Sequence, residues 1–134
     1  MADIQVKYDG QLRTITSFKD GAVTLITDGP KQYGGLNEFC SSTDLLAVSW
    51  ASCVLTMMGM TANSYNVSLD KAVATVTKAL SAQSPFVVEM TLHIHCPEFV
   101  PEDIRKKIEA AAHVCPVHTS LSPKVIKDFR IHWE

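Results

Sequence analysis

"SSTDLLAVSWASCVLTMMGMTANSYN", residues 41–66, carries Leu45, Leu46, Val48, Trp50, Val54, Leu55, Met57, Met58 and Met60. Placed on a helix, these side chains reach nearly every side, which is not the single apolar stripe of a surface helix. Ser41 or Ser42 can cap its start, and Asp44 falls in the first turn, where a carboxylate meets the positive end of the macrodipole. Ser, Thr and Gly interrupt the apolar run before it reads as a bilayer span. The segment is therefore expected to be a central helix, covered by sheet on one side and by other elements on another. Burial on two sides points to a homodimer.

Working outward, residues 4–28 read as three short strands. "IQVKY" and "QLRTITSF" flank Asp9-Gly10, and "AVTLIT" follows Asp20-Gly21. Asp-Gly between β-prone runs is a strong hairpin signal, so an antiparallel three-stranded meander is expected. "DGPKQYGGLNEFC", residues 28–40, is a loop by its Gly, Pro and Asn. After the central helix, residues 69–81 read as a shorter amphipathic helix, and "FVVEMTLHIHC", residues 86–96, reads as a strand. "PEFVPEDIRKKIEAAAHV" opens a helix with Pro101 in the first turn and Glu102 and Asp103 beside it. "KVIKDFRIHW" closes the chain as a strand. Runs of strands separated from runs of helices make an α+β fold. The length of 134 residues suits one domain, residues 1–134, with a single core.

Composition narrows the function. A formal charge of -2 and scattered Lys and Arg offer no basic field for a phosphate backbone, so no nucleic-acid partner is expected. "MADIQVKYDG" at the N-terminus lacks an apolar h-region, and a soluble cytoplasmic protein without a membrane partner is the expectation. Cys40, Cys53, Cys96 and Cys115 lie far apart, without a CxxC, and are expected to be reduced. Each is a buried filler, a metal ligand or a reactive thiol.

Periodicity ties two of them to one side of their helices. Leu46, Ser49 or Trp50, Cys53, Met57 and Met60 recur at three- and four-residue steps, as do Ile104, Ile108, Ala111 and Cys115. Pro116 then stops the regular hydrogen bonding directly after the second thiol. Two helices packed on one sheet can bring these faces together, although a disulfide also requires Cα atoms roughly 4.4 to 6.8 Å apart. His118 shares the face of Cys115 if the chain turns helically there, as a packing residue or as an aid to thiol exchange. His93 and His95 share one face of their strand, with Cys96 on the other. Together with Cys115 and His118 they include the residue types of a zinc set. No pair has the tight spacing of a structural site, so neither metal nor cofactor is expected.

"DLLAVSWASC", residues 44–53, followed by "AAAHVCPVHTSLS", residues 110–122, resembles the OsmC/Ohr family of thiol-dependent hydroperoxide reductases. The likeness covers nearly the whole chain and implies the OsmC-like fold: antiparallel N-terminal strands and a buried central helix in an intertwined homodimer. It further implies a peroxidase in which Cys53 attacks an organic hydroperoxide, Cys115 resolves the product and an external dithiol restores both. Arg13 matches the arginine that stabilises the thiolate. Where many members hold that arginine with a glutamate, this chain has Thr43, which leaves Asp44, Glu38 or a residue of the second subunit as the anchor. Trp50, Met57 and Met60 are the expected apolar lining of the substrate site. Cys40 and Cys96 match no catalytic position. The alternative is a weakly active OsmC-like module that binds a small apolar ligand.

Overall fold

Helix α1 (Ser42–Ser64) begins with a reciprocal cap. The Ser41 backbone N–H donates to Asp44 Oδ2 at 2.9 Å, and the Asp44 N–H donates to Ser41 Oγ at 3.1 Å. Two donors that would otherwise lack intrahelical partners are satisfied at once. The helix runs unbroken for 23 residues, so the Ser, Thr and Gly that read as interruptions do not shorten it. It is long and apolar enough by composition to cross a membrane. Here Ala47, Trp50, Ala51, Val54, Met58 and Ala62 form one buried stripe in a protein core.

This computed structural model describes residues 3–83, 85–97 and 99–134, with Asp20 described by its backbone alone. The chain divides into two compact units, the first ending at Leu45 and the second running from Leu46 to Glu134.

In the first unit, β1 (Ile4–Tyr8), β2 (Arg13–Phe18) and β3 (Val23–Asp28) form the antiparallel meander, in the order β1-β2-β3. The Asp-Gly pairs do act as turns. Gly10 and Gly21 take φ values of +83° and +86°, which glycine adopts without a steric penalty. Among the described residues of this unit no apolar side chain is buried, and the buried residues with polar side chains are Thr16, Thr27 and Asp28.

The second unit holds the core. Strands β4 (Val73–Leu80), β5 (Val87–Cys96) and β6 (Ile126–Trp133) make a sheet in that order, with β4 antiparallel and β6 parallel to β5. A parallel pair needs a crossover, supplied by α2 (Glu102–Ala112) and the short α3 (Pro116–Ser120). Met90, Leu92, Ile94 and Cys96 alternate onto the inner face of β5, joined by Phe129, Ile131 and Trp133 of β6. They pack with Trp50, Val54 and Met58 of α1 and with Ile108 and Ala112 of α2.

Two expectations need correction. Residues 69–81 are not helical, because β4 occupies most of the segment. Val73, Thr75 and Thr77 are exposed while Ala74, Val76 and Lys78 are half-buried, an alternation of period two. Full pairing with β5 and three β-branched residues on consecutive positions 75–77 outweigh the helix propensity of the Ala and Lys around them. Nor does Cys115 end a helix. Helix α2 stops at Ala112, and Cys115 is the N-cap of α3 with Pro116 in the first turn, where a missing N–H costs nothing.

Candidate active site

Helix α1 carries Trp50 and Cys53 one turn apart, and α3 carries Cys115 and His118 at its start. The structure brings these four side chains together. Cys53 is half-buried and packs against the core, whereas Cys115 is fully buried. Both are free thiols, and Cys53 lies near enough to act on the Cys115 thiol.

Burial is the main influence pushing the Cys115 thiol above the ordinary range, and the hydrogen bond and charge of Cys53 add to it. The backbone N–H groups of His118 and Val117 pull the other way without overcoming burial. Cys115 thus keeps its proton at neutral pH and can offer it to the Cys53 sulfur. The His118 N–H reaches Cys115 Sγ at 3.2 Å, so the thiol is also the acceptor that caps α3.

Trp50 has no exposed surface, and its indole N–H donates to His118 Nδ1 at 3.2 Å. Burial is the largest influence holding the His118 imidazole below its usual pKa, with the positive charges of Lys127 and His113 acting in the same direction. The apolar lining expected from Trp50, Met57 and Met60 is divided among three environments. Trp50 is inside the core, Met57 is half-buried against it, and Met60 is 62% exposed.

Arg13 lies in the first unit at the start of β2. Its Nε and Nη2 donate to the two oxygens of Asp28 at 2.7 and 2.8 Å, and Nη2 also reaches Glu38 at 3.1 Å. The guanidinium stacks on Phe39 at 4.9 Å. Asp28 additionally accepts the backbone N–H groups of Glu38 and Phe39 at 2.9 and 3.0 Å. Four donors, led by Arg13, hold its carboxyl down to about 2 despite burial, and its negative charge in turn raises the arginine pKa. Asp28 is the residue that sequence reasoning missed. It sits at the head of a Gly-Pro loop and reads as a turn former, and the register of β2 against β3 is what sets it opposite Arg13. Asp44 belongs to the helix cap, and Thr43 is in contact with Ser41.

The zinc set does not assemble. His93 and His95 point away from the core face that carries Cys96, and they stack with His132 instead. Among the described residues no three His, Cys, Asp or Glu side chains gather so as to hold a metal ion. Cys96 is buried, its thiol pushed up to about 11 by burial and the nearby charge of Glu109. Cys40 donates to the Ile26 carbonyl at 3.4 Å.

Comparison with known proteins places this arrangement. A crystal structure from Psychrobacter arcticus 273-4, described as an osmotic stress induced and detoxification response protein, superposes with a TM-score of 0.91 at 33% identity, covering 98% of this chain and 96% of that one. An organic hydroperoxide resistance protein OsmC from Legionella pneumophila shares the fold with a TM-score of 0.76 at 21% identity, covering 98% and 96% of the two chains. An uncharacterised protein of Acinetobacter baylyi is 26% identical over 125 residues, which is 92% of this chain and 85% of its own. The model of the OsmC-like protein family matches residues 35–127, the stretch that contains α1 and both cysteines of the thiol pair. With that match and the shared α+β architecture, the chain belongs to the OsmC-like protein family.

Proposed function

We propose that the protein is a thiol-dependent peroxidase that reduces organic hydroperoxides. The observation that carries this reading is the proximity of a half-buried Cys53 on α1 to a buried Cys115 at the start of α3, the latter thiol pushed up by burial and by Cys53. The Cys53 thiolate attacks the terminal peroxide oxygen, the O–O bond breaks, and the leaving alkoxide takes a proton to become the alcohol. Cys53 is now a sulfenic acid. The Cys115 sulfur attacks it, an S–S bond forms, the S–O bond breaks and water leaves. An external dithiol reduces the disulfide and returns both thiols. Thiolate chemistry at neutral pH requires a nearby cation, and we assign that part to Arg13, preorganised by Asp28 and Glu38.

The active species is proposed to be a homodimer in a reducing, cytoplasmic setting. Ile4, Val6 and Tyr8 form an apolar stripe along β1 and are 61–64% exposed, in a unit with no buried apolar side chain among its described residues. A three-stranded sheet without apolar burial is not stable alone. Val48 and Met60 on α1 add further open apolar surface. Light scattering on the purified protein is expected to give twice the chain mass.

The alternative, a module binding a small apolar ligand, drew its support from the missing glutamate at position 43. Asp28 supplies the arginine with a carboxylate partner and removes that support. The decisive test compares consumption of cumene hydroperoxide and hydrogen peroxide by the intact protein, Cys53→Ser and Cys115→Ser with a dithiol reductant. Turnover lost in Cys53→Ser, and a trapped sulfenate in Cys115→Ser, is the expected result. Equal background consumption by all three would overturn the reading.

A further inference from the structure

We propose that the hydrogen bond from Trp50 to His118 is a titratable clamp that sets how fast Cys115 closes on Cys53, with His118 as a positioning residue. This rests on the peroxidase reading for its biological use, but the closure itself can be measured without a peroxide.

The geometry begins with a donor that has no freedom. An indole N–H can only donate, and Trp50 is fully buried, so its partner must be an acceptor. That partner is Nδ1 of His118, at 3.2 Å. Accepting there requires a lone pair on Nδ1, which places the imidazole proton on Nε2 and leaves the ring neutral. A protonated ring has two N–H donors and no acceptor. It would turn an N–H toward the indole N–H and leave a buried donor unpaired, an arrangement the core resists.

The same residue holds the thiol. The His118 backbone N–H donates to Cys115 Sγ at 3.2 Å, while its ring is tied to α1 one turn before Cys53. Trp50 and Cys53 on α1 therefore face His118 and Cys115 on α3 as two joined pairs. Helix α3 is only five residues long; Cys115, Val117 and Leu121 seat it against the core, and the Trp50–His118 hydrogen bond adds a directional polar tie to α1.

The surroundings favour the closed state at neutral pH. The charged groups acting on the His118 ring are Lys127 of β6 and His113 just after α2, whose ring lies edge-on to it. The two basic groups and burial all oppose a proton on the ring, so protonation falls below pH 6.5. Above that pH the clamp is shut. As pH falls through the ring's own pKa, the clamp opens and Cys115 loses its fixed approach to Cys53.

The test uses the full-length protein and an aromatic disulfide. The reagent forms a mixed disulfide at Cys53 and releases one coloured thiolate; attack by Cys115 then forms the S–S bond and expels the second. In Trp50→Phe and His118→Leu the second release is expected to slow roughly fivefold or more at pH 7.5, the effect of losing one partly buried hydrogen bond. His118→Asn offers Oδ1 in the place of Nδ1 and does not titrate. It is expected to close at close to the wild-type rate at pH 7.5 and to lack the additional slowing below pH 6.5 that the wild type shows. Wild-type closure rates in His118→Leu, or the same acid inflection in His118→Asn as in the wild type, would overturn the clamp. Folding of each variant is checked by near-UV circular dichroism. If closure behaves as described but no variant consumes cumene hydroperoxide, the peroxidase reading falls and the clamp stands.

Discussion

Asp28 grips Arg13 through both carboxylate oxygens, at 2.7 and 2.8 Å, and with one of them also accepts the backbone of the loop that leads to α1. A guanidinium held in a bidentate pair has little freedom to rotate. Asp28→Asn is expected to remove the bidentate ion pair and leave Glu38, which is exposed and reached by one contact of 3.1 Å, as the carboxylate partner of Arg13. If Arg13 is the catalytic cation, misplacing it lowers kcat/KM for cumene hydroperoxide by up to about a hundredfold. Arg13→Ala should cost at least as much, and the double variant little more than the single, since the two residues act as one unit. Additive losses would separate Asp28 from Arg13.

Acid stability should report the same pair. The Asp28 carboxyl is held at about 2 against an ordinary 3.8, so the folded state binds its proton later than the unfolded chain does. The stabilisation is fully present above pH about 4 and is lost as pH falls toward 2. His118 acts in a milder window with the same sign. Its imidazole is lowered from 6.5, so the unfolded chain takes up a proton first and stability declines as pH falls below 6.5 toward the folded-state value. Urea midpoints measured from pH 8 to pH 2 should fall in these two stages. Asp28→Asn should remove the lower one and His118→Asn the upper.

The four thiols should label in a set order. Cys115 is fully buried and protonated, and Cys96 is buried with its thiol pushed up to about 11, while Cys53 and Cys40 are half-buried. Alkylation at pH 7.5, followed by peptide mass analysis, is expected to modify Cys53 and Cys40 in the native protein and to reach Cys96 only on unfolding. Early modification of Cys96 would show that the inner face of β5 opens readily.

Core packing supports the thiol pair from below. Ile108 of α2 is fully buried in the cluster that includes Trp50, Cys115 and the inner face of β5. Ile108→Ala is expected to cost about 2 to 5 kcal/mol of unfolding free energy. Removing the α1 cap by Ser41→Ala is milder, about 1 kcal/mol. Chemical denaturation of both variants checks the ranking.

Local signals in the sequence determined a good part of this protein. Asp-Gly turns between β-prone runs marked the meander, and the dense apolar run with Ser41 and Asp44 at its head marked α1. Turn and cap signals of this kind lie within one element or one turn, where propensity and periodicity act directly. The Cys53–Cys115 pair was legible through the resemblance of "DLLAVSWASC" and "AAAHVCPVHTSLS", not through the helical repeat, which ends at Ala112 before it reaches Cys115.

Tertiary structure alone decided the rest, because each remaining choice depends on a partner distant in sequence. Residues 73–80 became β4 because β5 offered a full ladder, which no local count of Ala and Lys reveals. Asp28, read as a turn residue, became the hold on Arg13 because the register of β2 and β3 sets them opposite each other. Cys115 became the start of a helix once α2 stopped at Ala112 and left its thiol to cap α3. The buried indole of Trp50 found its acceptor 68 residues away, and that one pairing set the tautomer of His118.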